Sequence, residues 1–274
     1  MELVGGDGDR IVFVEDNGHV FGPGRWKMWY LANPGGVAQL IDEGAGNLPF
    51  FDLSGARLVW TVMGGESTES QLWLLDLETM ERRLLESAHA DVTQYWFPSI
   101  DGHLVVYGAL ELTADGQGEE RHIYLLDVDG EMTPRRLDAS LEGSGFGPSQ
   151  PDIQRDTVVW KESTLQESFL VEGRLVRYSL RTGEVAPLTL TPGHERYTFP
   201  SIGNRYVTAW AGYDRALYLA DLETGRPLKI LDLGPIEADQ HDSVGTIADL
   251  AGDLLAYVYG PANGDLELRW IILR

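Results

Sequence analysis

Three of the six histidines fall in the links between repeated units, each within two residues of a carboxylate. His89 sits in "HAD" with Asp91, His194 in "HER" with Glu195, and His241 in "DQHDS" between Asp239 and Asp242. Imidazole and carboxylate together make the ligand set of zinc and related divalent cations. No single stretch carries a complete set, and HExxH is absent. A metal site would therefore be assembled from distant loops; the alternative is three solvated loop histidines. A second set of acids, Glu111, Asp115, Glu119, Glu120, Glu162, Glu167 and Glu172, marks out no pair for glycoside hydrolysis, because such acids need no closeness in sequence.

Other chemistries lack their residues. The chain has no cysteine, which removes disulfides, thiolate metal sites and cysteine nucleophiles together. There is no GxSxG elbow, no GxxxxGK(S/T) phosphate cradle and no GxGxxG opening a helix. "DVDGE" at Asp127–Glu131 lacks the rest of a calcium loop and reads as a turn after a strand. A formal net charge of −22 repels phosphate backbones, so nucleic acid is not expected as a partner. No apolar run is long enough for a membrane span, and "MELVGGDGDR" lacks the basic and apolar regions of a secretory signal.

The elements that would position these residues repeat. "FPSIDGHLVVY" at Phe97–Tyr107 returns as "FPSIGNRYVTAW" at Phe199–Trp210. Aligned on Pro98, the series is Val4, Phe51, Pro98, Pro151, Pro200 and Ala248, a step of 47, 47, 53, 49 and 48 residues. Two positions on stand Gly6, Leu53, Ile100, Ile153, Ile202 and Leu250, followed by tight turns such as Ser54-Gly55 and Asp101-Gly102. Each copy continues with a β-rich run ("RLVWTV", "HLVVYG"), a variable connection, a second run ("QLWLLDL", "HIYLLDV") and a short closing segment ("VAQLI", "ERRLLE", "PRRLD").

Four short strands in each unit of about 47 residues, with no helical period, read as the blades of a β-propeller. The expectation is one all-β domain over 1–274, a six-bladed propeller of four-stranded antiparallel blades spanning 1–47, 48–94, 95–147, 148–196, 197–244 and 245–274. Phe13, Trp60, Tyr107, Trp160 and Tyr257 share one slot and are expected as packing between blades. In the fifth copy that slot falls on Ala209 beside Trp210, which suggests a shifted register there. The chain's last run, "ELRWIILR", matches a third strand. The sixth blade is therefore expected to be three-stranded, with Leu268–Leu273 as an edge able to pair with another molecule as a weak dimer.

The unit resembles the TolB-like, WD40-type β-propeller repeat, through "PSIDGHLVVY" with "IYLLDVDGE" and "PSIGNRYVTAW" with "LYLADLETGR". The resemblance implies a periplasmic or cell-surface protein that acts through protein or glycan contacts. It equally implies alternatives, a metal-assisted polysaccharide lyase or the propeller half of a larger peptidase, because the fold does not choose among activities.

Within such a unit the variable connections and the links between units share one end, where binding is expected. His89, Asp91, His194, Glu195, Asp239, His241 and Asp242 all fall there. Between the Pro and Ile slots stand Asp52, Ser99, Asp152, Ser201 and Asp249, expected on the innermost strands. These groups either face the central channel, as a ring holding water or a cation, or satisfy backbone donors of the neighbouring blade. The reading is a non-catalytic binding scaffold with no cofactor required, a divalent cation being the one candidate.

Overall fold

The structure, a computed structural model, describes residues 3–7, 9–16, 24–33, 35–63, 68–113, 118–138, 146–164, 173–190, 197–211, 216–232, 248–251, 254–259 and 267–273. Every regular element among them is a β-strand, and the chain divides into two compact units, Met1–Ser140 and Leu141–Arg274.

The first unit holds three four-stranded antiparallel sheets, each a run of consecutive strands. Sheet one is β1 (Leu3–Asp7), β2 (Arg10–Asp16), β3 (Gly24–Leu31) and β4 (Gln39–Gly46). Sheet two is β5 (Phe51–Ser54), β6 (Arg57–Val62), β7 (Glu69–Asp76) and β8 (Arg82–His89). Sheet three is β9 (Thr93–Asp101), β10 (Leu104–Leu112), β11 (Glu119–Asp127) and β12 (Arg135–Arg136).

The second unit repeats the plan. Sheet four is β13 (Phe146–Gln154), β14 (Thr157–Thr164), β15 (Arg174–Ser179) and β16 (Val185–Leu188). Sheet five is β17 (Thr198–Ile202), β18 (Tyr206–Ala211), β19 (Ala216–Asp221) and β20 (Pro227–Asp232). Sheet six has three strands, β21 (Ala248–Ala251), β22 (Leu254–Tyr259) and β23 (Glu267–Ile272).

Burial patterns explain why the β-rich runs lack polar alternation. In β6, Leu58, Val59, Trp60 and Thr61 are all buried. Leu58 and Trp60 join Val12, Val14, Trp26 and Met28 of sheet one, whereas Val59 joins Tyr95, Val105 and Tyr107 of sheet three. A strand covered on both faces selects an apolar run. In the second unit, Val207, Ala209 and Ala211 pack toward Val159 and Leu175 of sheet four, and Trp210 packs with Leu250 and Leu255 of sheet six. Sheets stacked face to face in this way bury surfaces that one meander alone would leave in water.

The repeated "FP" phrase marks a backbone device. Ladder register shifts between Val106 and Gly108, between Ser149 and Asp152, and between Thr198 and Ser201. Each shift is a bulge at the Pro slot, where the proline has no N–H to give the ladder. The residue before each proline, Phe97, Gln150 or Phe199, has φ of 48°, 54° or 49°. Where the Pro slot holds Phe51 or Ala248, that residue pairs directly within the ladder, with Trp60 or Tyr257.

This register corrects one expectation. Sheet five does not shift its slot: Ala209 pairs with Tyr218 as Tyr107 pairs with Tyr124 and Trp160 with Val176. The small residue is offset by a large one across the strands, and Tyr218 meets the buried Tyr197 edge-on at 6.1 Å. Among the slot's aromatics, Trp60, Tyr107 and Trp160 are buried, Phe13 is half-buried, and the side chain of Tyr257 lies outside the described residues.

Hairpin turns show where the fourth copy departs from its siblings. Gly55 and Gly102 turn at φ of 58° and 61°, and the equivalent Arg155 does so at 56°. An exposed side chain in this left-handed region costs about 1–2 kcal/mol, while glycine loses more chain entropy on folding. Arg155→Gly is expected to stabilise the protein by a net ~0.5 kcal/mol. Gly102→Ala, with nothing within 4 Å of the added carbon, is expected to destabilise it by about 1 kcal/mol. Urea midpoints of the two variants should move in opposite directions.

Candidate functional site

In the first unit the tight turns Ser54–Arg57 and Asp101–Leu104 lie at one end of the sheets. The longer connections Val62–Glu69 and Leu112–Glu119, and the link His89–Thr93, lie at the other. Leu112 N–H donates to Val92 O and Ala90 N–H to Thr68 O, which gathers the link and both connections at that end.

His89 is there, but not in a loop. β8 runs on past "ERRLLE" to include it, opposite Glu69. The fourth strand is longer than expected because Ser87, Ala88 and His89 extend the ladder along β7. His89 Nδ1 lies 3.5 Å from Asp91 Oδ2, with both side chains more than half exposed. Glu69 accepts from Gln71 Nε2 at 2.7 Å and from Ser87 Oγ at 3.3 Å. His194, Glu195, Asp239, His241 and Asp242 lie outside the described residues. Among the described residues, no three His, Asp or Glu side chains come together as a metal site.

The polar slot on the inner strands has a repeated geometry. Asp52 Oδ1 accepts from Leu53 N–H at 2.7 Å, and its Oδ2 reaches sheet three, accepting from Ile100 N–H at 2.8 Å and Ser99 Oγ–H at 2.9 Å. Asp152 repeats this in the second unit: Oδ1 accepts from Ile153 N–H at 2.9 Å and Oδ2 from Ile202 N–H in sheet five at 2.7 Å. Ser201 Oγ accepts from Leu250 N–H of sheet six at 3.0 Å. Each side chain ties its sheet to the backbone of the next at the Ile slot. For Asp249 only the backbone is described.

Glu162, which the sequence groups with the loop acids, is instead buried on β14. Trp160 Nε1–H donates to it at 3.1 Å and Arg174 Nε–H at 2.6 Å, so it braces the start of β15. Lys161 beside it is fully buried.

The sequence reading passed over His122, although Glu120, His122 and Tyr124 alternate onto one face of β11. The imidazole is 6% exposed, with Nδ1 3.2 Å from Asp138 Oδ2 and Nε2 3.3 Å from Glu120 Oε2. Burial alone would lower its pKa. The hydrogen bond to Asp138 and the charges of Asp138 and Glu111, less the opposing Arg136, leave it above the ordinary value. Asp138 is depressed, since bonds from His122, Ile123 N–H and Arg136 outweigh its own burial. The alternation of "EERHIY" and the closing Asp of "PRRLD" were the available signals. They were hidden because the pairing is made only once the strands are in register.

Neither a family model nor a curated protein matches the sequence, whereas solved structures match the fold, β-propellers among them. The fold is of the TolB-like propeller kind, all-β with several four-stranded antiparallel sheets. TolB from Acinetobacter baumannii superposes with a TM-score of 0.61 at 15% identity, over 95% of this chain and 61% of its own. Pyrococcus horikoshii acylaminoacyl peptidase gives 0.63 at 11%, over 98% of this chain and 44% of its own. The β-propeller domain of the Trilobed protease from Pyrococcus furiosus, with an open velcro topology, gives 0.60 at 12%, over 98% and 81%. The chain thus spans less than two thirds of the TolB and of the peptidase. No helix among the described residues is long and apolar enough to cross a membrane.

Proposed function

We propose that the chain is a six-bladed propeller forming a single domain, with an open, three-stranded sixth blade. In this reading it is a non-catalytic scaffold that binds a protein or glycan at the end bearing the long connections. The observation that supports it is the division of labour among the acids. Asp52 and Asp152 spend both oxygens on backbone donors, while His89 and Asp91 stand exposed at a strand end with no third ligand among the described residues. Rigid sheets joined by long polar connections suit recognition. A periplasmic or cell-surface location, a ligand other than nucleic acid, and weak self-association through β23 belong to the same reading. Ile272 on that strand is 56% exposed.

The second reading is the propeller part of a larger peptidase. It is favoured by the 44% share of the acylaminoacyl peptidase that the chain matches.

A glycan and peptide array, probed with the purified protein before and after EDTA, tests the proposal. Binding that survives EDTA and is weakened by substitutions at the long-connection end supports a scaffold. Stoichiometric, tightly held transition metal that His89→Ala or His241→Ala removes would overturn it in favour of a metal-assisted lyase.

A further inference from the structure

The outermost strand of sheet three is the shortest of its kind. β12 pairs only Arg136 with Tyr124 and Arg135 with Leu125, whereas β8 in the sheet before it runs from Arg82 to His89. Beyond β12 the edge is held by one backbone bond, Leu137 N–H to Ile123 O at 2.8 Å, and then by a side chain. Asp138, 1% exposed, puts Oδ1 where the next ladder carbonyl would stand and accepts from Ile123 N–H at 3.0 Å. Its other oxygen faces His122 Nδ1, and Arg136 closes on both oxygens at 3.2–3.3 Å.

We propose that His122 and Asp138 form a proton-operated latch on the outer edge of sheet three, which fixes the chain where it leaves β12. The geometry dictates how it works. A doubly protonated imidazole donates from Nδ1 to Asp138 and from Nε2 to Glu120, bridging two carboxylates across the edge. A neutral imidazole keeps the Nδ1–H bond and turns a lone pair toward Glu120, whose half-exposed side chain is free to swing into water. Asp138 then keeps Arg136, Ile123 N–H and the Nδ1–H bond, and loses only the positive charge of the imidazole.

The groups around the imidazole come from every packed element. Glu111 on β10, bonded to Tyr124 Oη–H at 2.9 Å, adds negative charge; Arg136 on β12 opposes it; Glu120 and Tyr124 share β11. Glu86 of β8 acts on Tyr95 and Tyr107 of the same face. The upward displacement of His122 gives the sign. A group whose folded pKa is raised stabilises fully below its unfolded value, near 6.5, and that share is lost as pH rises through the folded value. Asp138 is displaced downward, so its share is lost only on acidification through its folded pKa.

Amide hydrogen exchange of the whole protein, corrected for intrinsic rates, reads the latch at the amides of Ile123 and Leu137. Protection at both is expected to fall on the order of fivefold between pH 5.5 and pH 8. His122→Asn, which keeps a donor toward Asp138 and cannot titrate, is expected to flatten that step. NMR titration of the wild-type imidazole gives a readout independent of any variant, with a pKa above the ordinary histidine value. Equal protection at both pH values, a step that survives in His122→Asn, or an imidazole that titrates at or below the ordinary value would overturn the proposal.

Discussion

Asp52→Ala is expected to cost about 3 kcal/mol of unfolding free energy, the largest effect of any single polar substitution on the inner strands. The carboxylate accepts three hydrogen bonds, and two of the donors are backbone N–H groups of the buried residues Leu53 and Ile100. Alanine leaves both donors without their acceptor at a part-buried position, and each such orphan costs ~1–3 kcal/mol. The loss should appear as a fall of several degrees in Tm, at roughly 2–4 °C per kcal/mol for a chain of this size. Asp52→Asn retains one acceptor oxygen and should lose about half as much; Ser99→Ala removes one donor and should cost about 1 kcal/mol. Asp152→Ala should match Asp52→Ala, because its bonds to Ile153 and Ile202 repeat the arrangement. A ring of cation ligands would behave oppositely: relief of like-charge repulsion would make Asp52→Asn neutral or stabilising in metal-free buffer.

The inter-sheet bonds of Asp52 and Asp152 mark what the sequence discloses and what it withholds. The repeat placed a polar residue between two apolar ones at nearly constant spacing, and that spacing is enough to find Asp52, Ser99, Asp152 and Ser201. Their partners were not legible, because the acceptor in one sheet and the N–H in the next are 48 to 50 residues apart. The strands themselves were clear from β-branched and aromatic runs covered on both faces, as in β6 and β18. Where fourth strands end was not clear. Ser87, Ala88 and His89 have no apolar pattern and join β8 only because β7 offers a ladder to pair with. The same blindness hid His122, whose partner Asp138 is brought to it by a strand of two residues.

Ala209 and Tyr218 should behave as one packing unit. The slot that holds Trp60, Tyr107 and Trp160 in other sheets holds alanine here, and its cross-strand neighbour Tyr218 fills the space against Tyr197. Tyr218→Ala alone is expected to cost about 3 kcal/mol, since truncating a buried aromatic leaves a cavity that the stiff strands do not close. Ala209→Tyr alone forces a ring into a fully buried position already occupied from across the ladder, and should cost about 2–3 kcal/mol. The double variant moves the ring from one strand to the other, as in sheet four, where Trp160 stands opposite the smaller Val176. Its cost should therefore fall short of the sum of the single variants by about 2 kcal/mol. Urea denaturation of the four proteins closes the cycle. Strict additivity would mean that the two side chains do not share a space, and that sheet five packs by a register other than the one in which Ala209 faces Tyr218.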